Sequence, residues 1–143
     1  MVVGYTTGVY DLFHIGHLNL LKNAKKHCDK LIVGITSDEA AQYKNKKPFI
    51  SQEERMEIVS SIKYVDEVVL QDDLDKIKAW HKYHYDVLFV GSDWQGTDKW
   101  NKYEEELEKV GAKVIYLPYT KTTSSTILQQ TIKNFNSEYA GVK

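Results

Sequence analysis

The chain has little of what would hold it together covalently or carry it into a membrane. Cys28 is its one cysteine among 143 residues, so no internal disulfide is available. No Cys/His cluster around it has zinc spacing, and the thiol reads as structural. No apolar run approaches the ~20 residues that span a bilayer. The first residues have neither the charged nor the apolar region of a secretory signal, so a cytoplasmic location is the expectation. A formal charge of −1 gives no broad field to draw nucleic acid. Arginine is almost missing too: of nineteen basic side chains only Arg55 is one. Arginine's planar fork is the usual reader of phosphate and carboxylate, so that position is worth following.

What is present is a globular balance, 42% apolar and 27% charged, enough for one domain with a real core. Short apolar runs alternate with helix-like patterns. Strands are expected from Val2 to Thr6, Leu31 to Thr36, Val65 to Leu70, Val87 to Val90 and Lys113 to Leu117. The LIVGIT run is apolar throughout, as in a strand covered on both faces. Helices are expected from His17 to Lys26, from a capping box at Ser51-Gln52-Glu53-Glu54 to Ser60, from Leu74 to His81, Lys102 to Val110 and Ser124 to Asn134. Gly111 is a suitable residue just past a helix end. The alternation predicts a doubly wound, Rossmann-like α/β fold: five parallel strands with helices on both faces. One domain over 1–135 is expected, with 136–143 as a tail.

In such folds ligands lie beyond the carboxyl ends of the strands. The first strand runs into Thr6-Thr7-Gly8-Val9-Tyr10-Asp11-Leu12-Phe13-His14-Ile15-Gly16-His17. Gly8 admits a ligand close to the backbone, and Gly16 lets the next helix pack tightly. The helix N-terminus offers amides to phosphate. His14 and His17, three apart, can face one point. The residues alone leave two readings, surface histidines in a glycine-rich turn or a pair of phosphate ligands; the place after the first strand favours the second. No third ligand lies nearby for a metal site, and neither GxGxxG nor a Walker loop is present.

GVYDLFHIGH resembles the G-[TV]-F-D-L-x-H-x-G-H signature of the cytidylyltransferases, with Tyr10 at the phenylalanine. SDE at Ser37 to Glu39, the lysine loop, Glu54-Arg55, YVDEVV from Tyr64 and GSDWQG from Gly91 are similar, in order and spacing, to the glycerol-3-phosphate cytidylyltransferase group. The resemblance implies in-line attack by a small alcohol phosphate, best glycerol 3-phosphate, on the α-phosphorus of CTP. The products would be CDP-glycerol for a surface polymer, and pyrophosphate. It implies Mg²⁺ held mainly by the triphosphate, no protein metal ligands and a homodimer, with no nucleic-acid or membrane partner.

His14 and His17 would stabilise charge on the phosphoryl oxygens, with Lys44 assisting at the acceptor. Thr7, Gly8, Val9, Tyr10, Gly16 and Lys46 would meet the nucleotide on the first side. Gly91, Asp93 and Trp94 would surround base and ribose, and Thr120, Lys121, Ser124, Ser125 and Thr126 the phosphates. Asp11, Asp38 and Arg55 would join Lys44 around the acceptor, though Asp11 also reads as ordering the turn rather than binding metal, and for Asp38 a helix-capping role is an equal alternative. On dipole grounds Arg55 sits poorly in the first turn of its helix, so it needs either a structural carboxylate or an anionic substrate; the resemblance points to substrate.

The chain departs from the R-T-E-G-I-S-T-[ST] pattern of the group: Tyr119 stands at the arginine and Thr122 at the glycine. That departure keeps an adenylyltransferase in view. Phosphocholine or phosphoethanolamine acceptors, and a non-catalytic nucleotide-binding module, are the remaining alternatives.

Overall fold

The computed structural model describes residues 1–43, 47–119 and 125–139. Five strands, β1 (Val3–Gly8), β2 (Lys30–Thr36), β3 (Glu67–Gln71), β4 (Val87–Gly91) and β5 (Lys113–Leu117), form one parallel sheet in the order β3-β2-β1-β4-β5. The helices are α1 (Ile15–Lys25), α2 (Asp38–Tyr43), α3 (Gln52–Ser60), α4 (Lys76–Tyr83), α5 (Asp98–Glu108) and α6 (Ser125–Tyr139).

The order explains the two-sided covering. From β1 the chain steps outward to β2 and β3, then returns past β1 to β4 and β5. Parallel crossovers keep one hand, so reversing the direction of travel moves the helices to the opposite face. Leu21 and Ala24 of α1 and Val59 of α3 accordingly pack with Val33, Ile35 and Phe89 in one cluster. Ala79 of α4 with Trp100 and Leu107 of α5 pack with Tyr5, Ile32, Leu88 and Val90 in the other. β2 is buried from Leu31 to Thr36, as its unbroken apolar run requires.

All five strands fall where the apolar runs place them, within two residues at each end. Gly111 has φ +86° just past α5, the left-handed conformation that ends helices. Ser51 caps α3 by accepting from the Glu54 amide at 3.4 Å. The short α2 was not expected, because DEAAQY is too brief for a helical period to show. α6 continues to Tyr139, beyond the Phe135 boundary.

At the amino edge of the sheet, aspartates hold the strand entries. Asp29 accepts from the Val2 amide at 2.7 Å, Asp86 from Val3 at 2.8 Å and Asp66 from Leu31 at 2.7 Å. The carboxyl edge is where β1 and β4 diverge, and there the polar side chains gather.

Candidate active site

β1 ends at Gly8 and the chain turns sharply. Tyr10 and Leu12 have φ +55° and +50°, a left-handed conformation unusual for bulky residues. Burial holds the strain at Tyr10, whose ring belongs to the core at 5% exposure. A Cβ on Gly8 would lie 2.8 Å from that ring, so the turn needs glycine there.

His14 is the N-cap of α1, in extended conformation, and its Nδ1 accepts from the Gly16 amide at 3.0 Å. His17 Nδ1 accepts from the His14 amide at 3.3 Å, so the two residues form a reciprocal capping box. A ring nitrogen that accepts carries no hydrogen, so each neutral imidazole holds its proton on Nε2. The rings stack with centroids 4.0 Å apart. Burial lowers the pKa of His14. It lowers His17 to about 4, with His14 adding to the effect and Asp11 opposing it. Two neutral Nε2–H donors therefore stand side by side at the positive end of α1, the arrangement that suits a phosphate.

Asp11, expected at the acceptor, is 2% exposed. Its Oδ1 accepts from the Ile50 amide and its Oδ2 from the Phe49 amide, both at 2.9 Å. The carboxylate ties the histidine turn to the chain returning from the lysine loop. Arg55 was also expected at the acceptor, and the structure gives its guanidinium a different occupation. It is fully buried; Nε donates to Ile50 O at 2.9 Å, and Nη1 to Val9 O at 2.7 Å and Thr36 O at 2.8 Å. Nη2 pairs with Asp38 Oδ1. Of the two partners that its place against the dipole called for, the structural carboxylate is the one realised.

Asp38 keeps one side in solvent, its side chain 45% exposed. Its Oδ2 accepts from the Gln52 amide at 3.3 Å, while Gln52 Oε1 accepts from the Asp38 amide at 2.9 Å. The N-termini of α2 and α3 thus cap each other beside a cleft of about 310 Å³ lined by Asp38, Gln42, Lys47, Pro48, Phe49 and Ser51. A larger hollow of about 480 Å³ lies at the opposite, amino edge against Met1, Val2 and His27, away from the histidines.

At the end of β4 Gly91 is buried, whereas Asp93 and Trp94 just beyond it are exposed. Tyr119 lies across Gly91 so closely that a Cβ there would be 2.0 Å from the phenol oxygen. Burial, and then the nearby Asp93, raise the Tyr119 pKa. The residue at the arginine position of the resemblance is therefore a neutral phenol laid on the turn after β4. Lys44, Lys46, Thr120, Lys121 and Ser124 lie outside the described residues; Ser125 and Thr126 open α6.

Sequence reasoning missed Lys76. The residue is 8% exposed, and its ammonium donates to Thr7 Oγ1 at 2.8 Å, 69 residues away, at the carboxyl end of β1. A signal existed: like Arg55, Lys76 sits in a helix's first turn against the dipole. Among the described residues no three His, Cys, Asp or Glu side chains converge as a metal cage, and no helix is long and apolar enough to cross a membrane.

Residues 5–135 match the profile of the cytidylyltransferase-like family. Glycerol-3-phosphate cytidylyltransferase of Staphylococcus aureus is 36% identical over 132 residues, covering 87% of this chain and 90% of that protein. FAD synthase of Thermococcus kodakarensis is 34% identical over 139 residues, 90% of each chain. The crystal structure of a lipopolysaccharide core biosynthesis protein from Thermoplasma volcanium superposes with a TM-score of 0.72 at 29% identity, covering 86% of this chain and 99% of that one.

Proposed function

The chain belongs to the cytidylyltransferase-like family, and we propose that it transfers CMP from CTP to sn-glycerol 3-phosphate, giving CDP-glycerol and pyrophosphate. It is a CTP-dependent nucleotidyltransferase. An oxygen of the acceptor's phosphate forms a bond to the α-phosphorus while the bond to the bridging oxygen of pyrophosphate breaks. The protein's task is positioning and charge stabilisation.

The observation that carries this reading is the reciprocal histidine cap, which fixes two Nε2–H donors before substrate arrives. His14 and His17 donate to the phosphoryl oxygens as charge develops and transfer no proton themselves. The cleft beside Asp38 receives the acceptor, with Lys44 and Lys47 at its phosphate. Thr7 at the end of β1, supported by Lys76, faces the reacting phosphates. Gly91, Asp93, Trp94 and Tyr119 form the base and ribose side, with Lys46, Lys121 and the opening of α6 at the triphosphate.

Asp11, the carboxylate beside the histidines, has both oxygens engaged with amides, so the residues fit Mg²⁺ that arrives on the triphosphate. When bound there, the ion would supply neutralisation of phosphate charge. The reading places the enzyme in the cytoplasm, as a homodimer, supplying an activated polyol for a surface polymer.

Pyrophosphate release, measured with each nucleoside triphosphate against glycerol 3-phosphate, phosphocholine, phosphoethanolamine, a sugar phosphate and FMN, tests this. CTP with glycerol 3-phosphate should give the highest kcat/KM. Adenylyl transfer is the second reading, favoured by the FAD synthase relative and by Tyr119 at the arginine position; preference for ATP would establish it. No turnover with any pair would leave only a binding module.

A further inference from the structure

The buried carboxylate of Asp11 receives another donor from far along the chain. Gln129 Nε2, 118 residues away, donates to Oδ2 at 2.6 Å. Gln129 lies on α6 four residues past Ser125, one turn and about 6 Å along the helix. Three elements therefore meet on one carboxylate that is 2% exposed: the turn carrying His14 and His17, the Phe49–Ile50 segment closing the lysine loop, and the first turns of α6.

Apolar burial anchors α6 only in part: Leu128 and Ile132 are half-buried, while Ile127 and Phe135 are each 59% exposed. The bonds from Gln130 to Asn134 and from Thr131 to Ile127 stay within the helix. A hydrogen bond to a buried ionised carboxylate is stronger and more directional than one between neutral groups. The Asp11–Gln129 contact is placed to decide the depth and direction of the helix end.

We propose that Gln129 is a positioning residue for the nucleotide: through Asp11 it sets where the N-terminus of α6 meets the triphosphate, in register with His14 and His17. This rests on the nucleotidyl-transfer reading above. A helix N-terminus serves phosphate only when its amides are held at the right place. Asp11 binds the lysine-loop side through backbone amides, which persist when Gln129 is replaced. Loss of Gln129 therefore separates the two substrates: the nucleotide feels it and the acceptor does not.

Steady-state kinetics of the full chain with CTP and glycerol 3-phosphate varied in turn test this on Gln129→Leu and Gln129→Lys. Thermal unfolding of each variant is followed alongside. Gln129→Leu should raise the KM for CTP about tenfold, the scale of a lost hydrogen bond to a charged group, with the acceptor KM within about twofold. Gln129→Lys, which can pair with Asp11, should restore the CTP value. An active wild type whose CTP KM is unmoved in Gln129→Leu overturns the proposal. So does an equal rise in both KM values, or a change in unfolding temperature alone. An inactive wild type would instead indict the reaction on which the proposal stands.

Discussion

Around the turn after β1, the histidine rings, Asp11 and Arg55 are all bonded to backbone groups. After β4 and β5, Asp93 and Trp94 stand exposed and Tyr119 is half in solvent. The first region is preorganised: its donors need no rearrangement when charge develops, which is where such donors are most effective. The second can change side chains without disturbing the core. Relatives at similar identity carry the names glycerol-3-phosphate cytidylyltransferase and FAD synthase.

The sharpest break of this contrast is His17→Ala. It should lower kcat about a thousandfold, the scale of losing a preorganised donor. Loss of the cap should take only about 1 kcal/mol from stability. A variant that kept its rate would remove the histidines from the chemistry.

Arg55→Ala should act mainly on the fold. It leaves three carbonyls and Asp38 without their buried partner, and denaturant unfolding should show a loss of about 3 kcal/mol. A well-folded variant with only a raised acceptor KM would return Arg55 to the substrate.

Acid should weaken the same region. Burial lowers His17 to about 4, below its ordinary value near 6.5, so the unfolded chain takes up the proton first. Stability contributed by the neutral ring is complete above about pH 6.5 and declines as pH falls toward 4. On the order of 1 kcal/mol should be lost between pH 6.5 and 5 in denaturant melts, and His17→Asn should lack that term.

On the other side, Tyr119→Arg should lower the KM for CTP about fivefold by restoring a forked phosphate contact, with no change in unfolding temperature. An unchanged KM would mean the role is already filled, with Lys121 the first candidate.

The strands were legible because a sheet covered on both faces demands unbroken apolar runs, as in LIVGIT, and burial penalises every alternative. The histidine pair was legible because capping is local: His14 and His17 need only the amides of their own turn. α2 was not, since six residues carry too little periodicity. Arg55 and Asp11 were visible as unusual residues, yet their partners were not. Val9, Thr36 and Asp38 come to Arg55 from separate segments, and Gln129 comes to Asp11 from the last helix.

By itself the sequence determined the alternation of strands and helices, the turn that carries the chemistry and the odd cation in a helix's first turn. Each depends on neighbours a few residues apart. Only the tertiary structure decided that Arg55 is a tie within the fold, that Lys76 reaches Thr7 at the end of β1 and that Tyr119 lies on Gly91. A long side chain can reach any of several elements, and which one it meets is fixed by how the sheet is ordered.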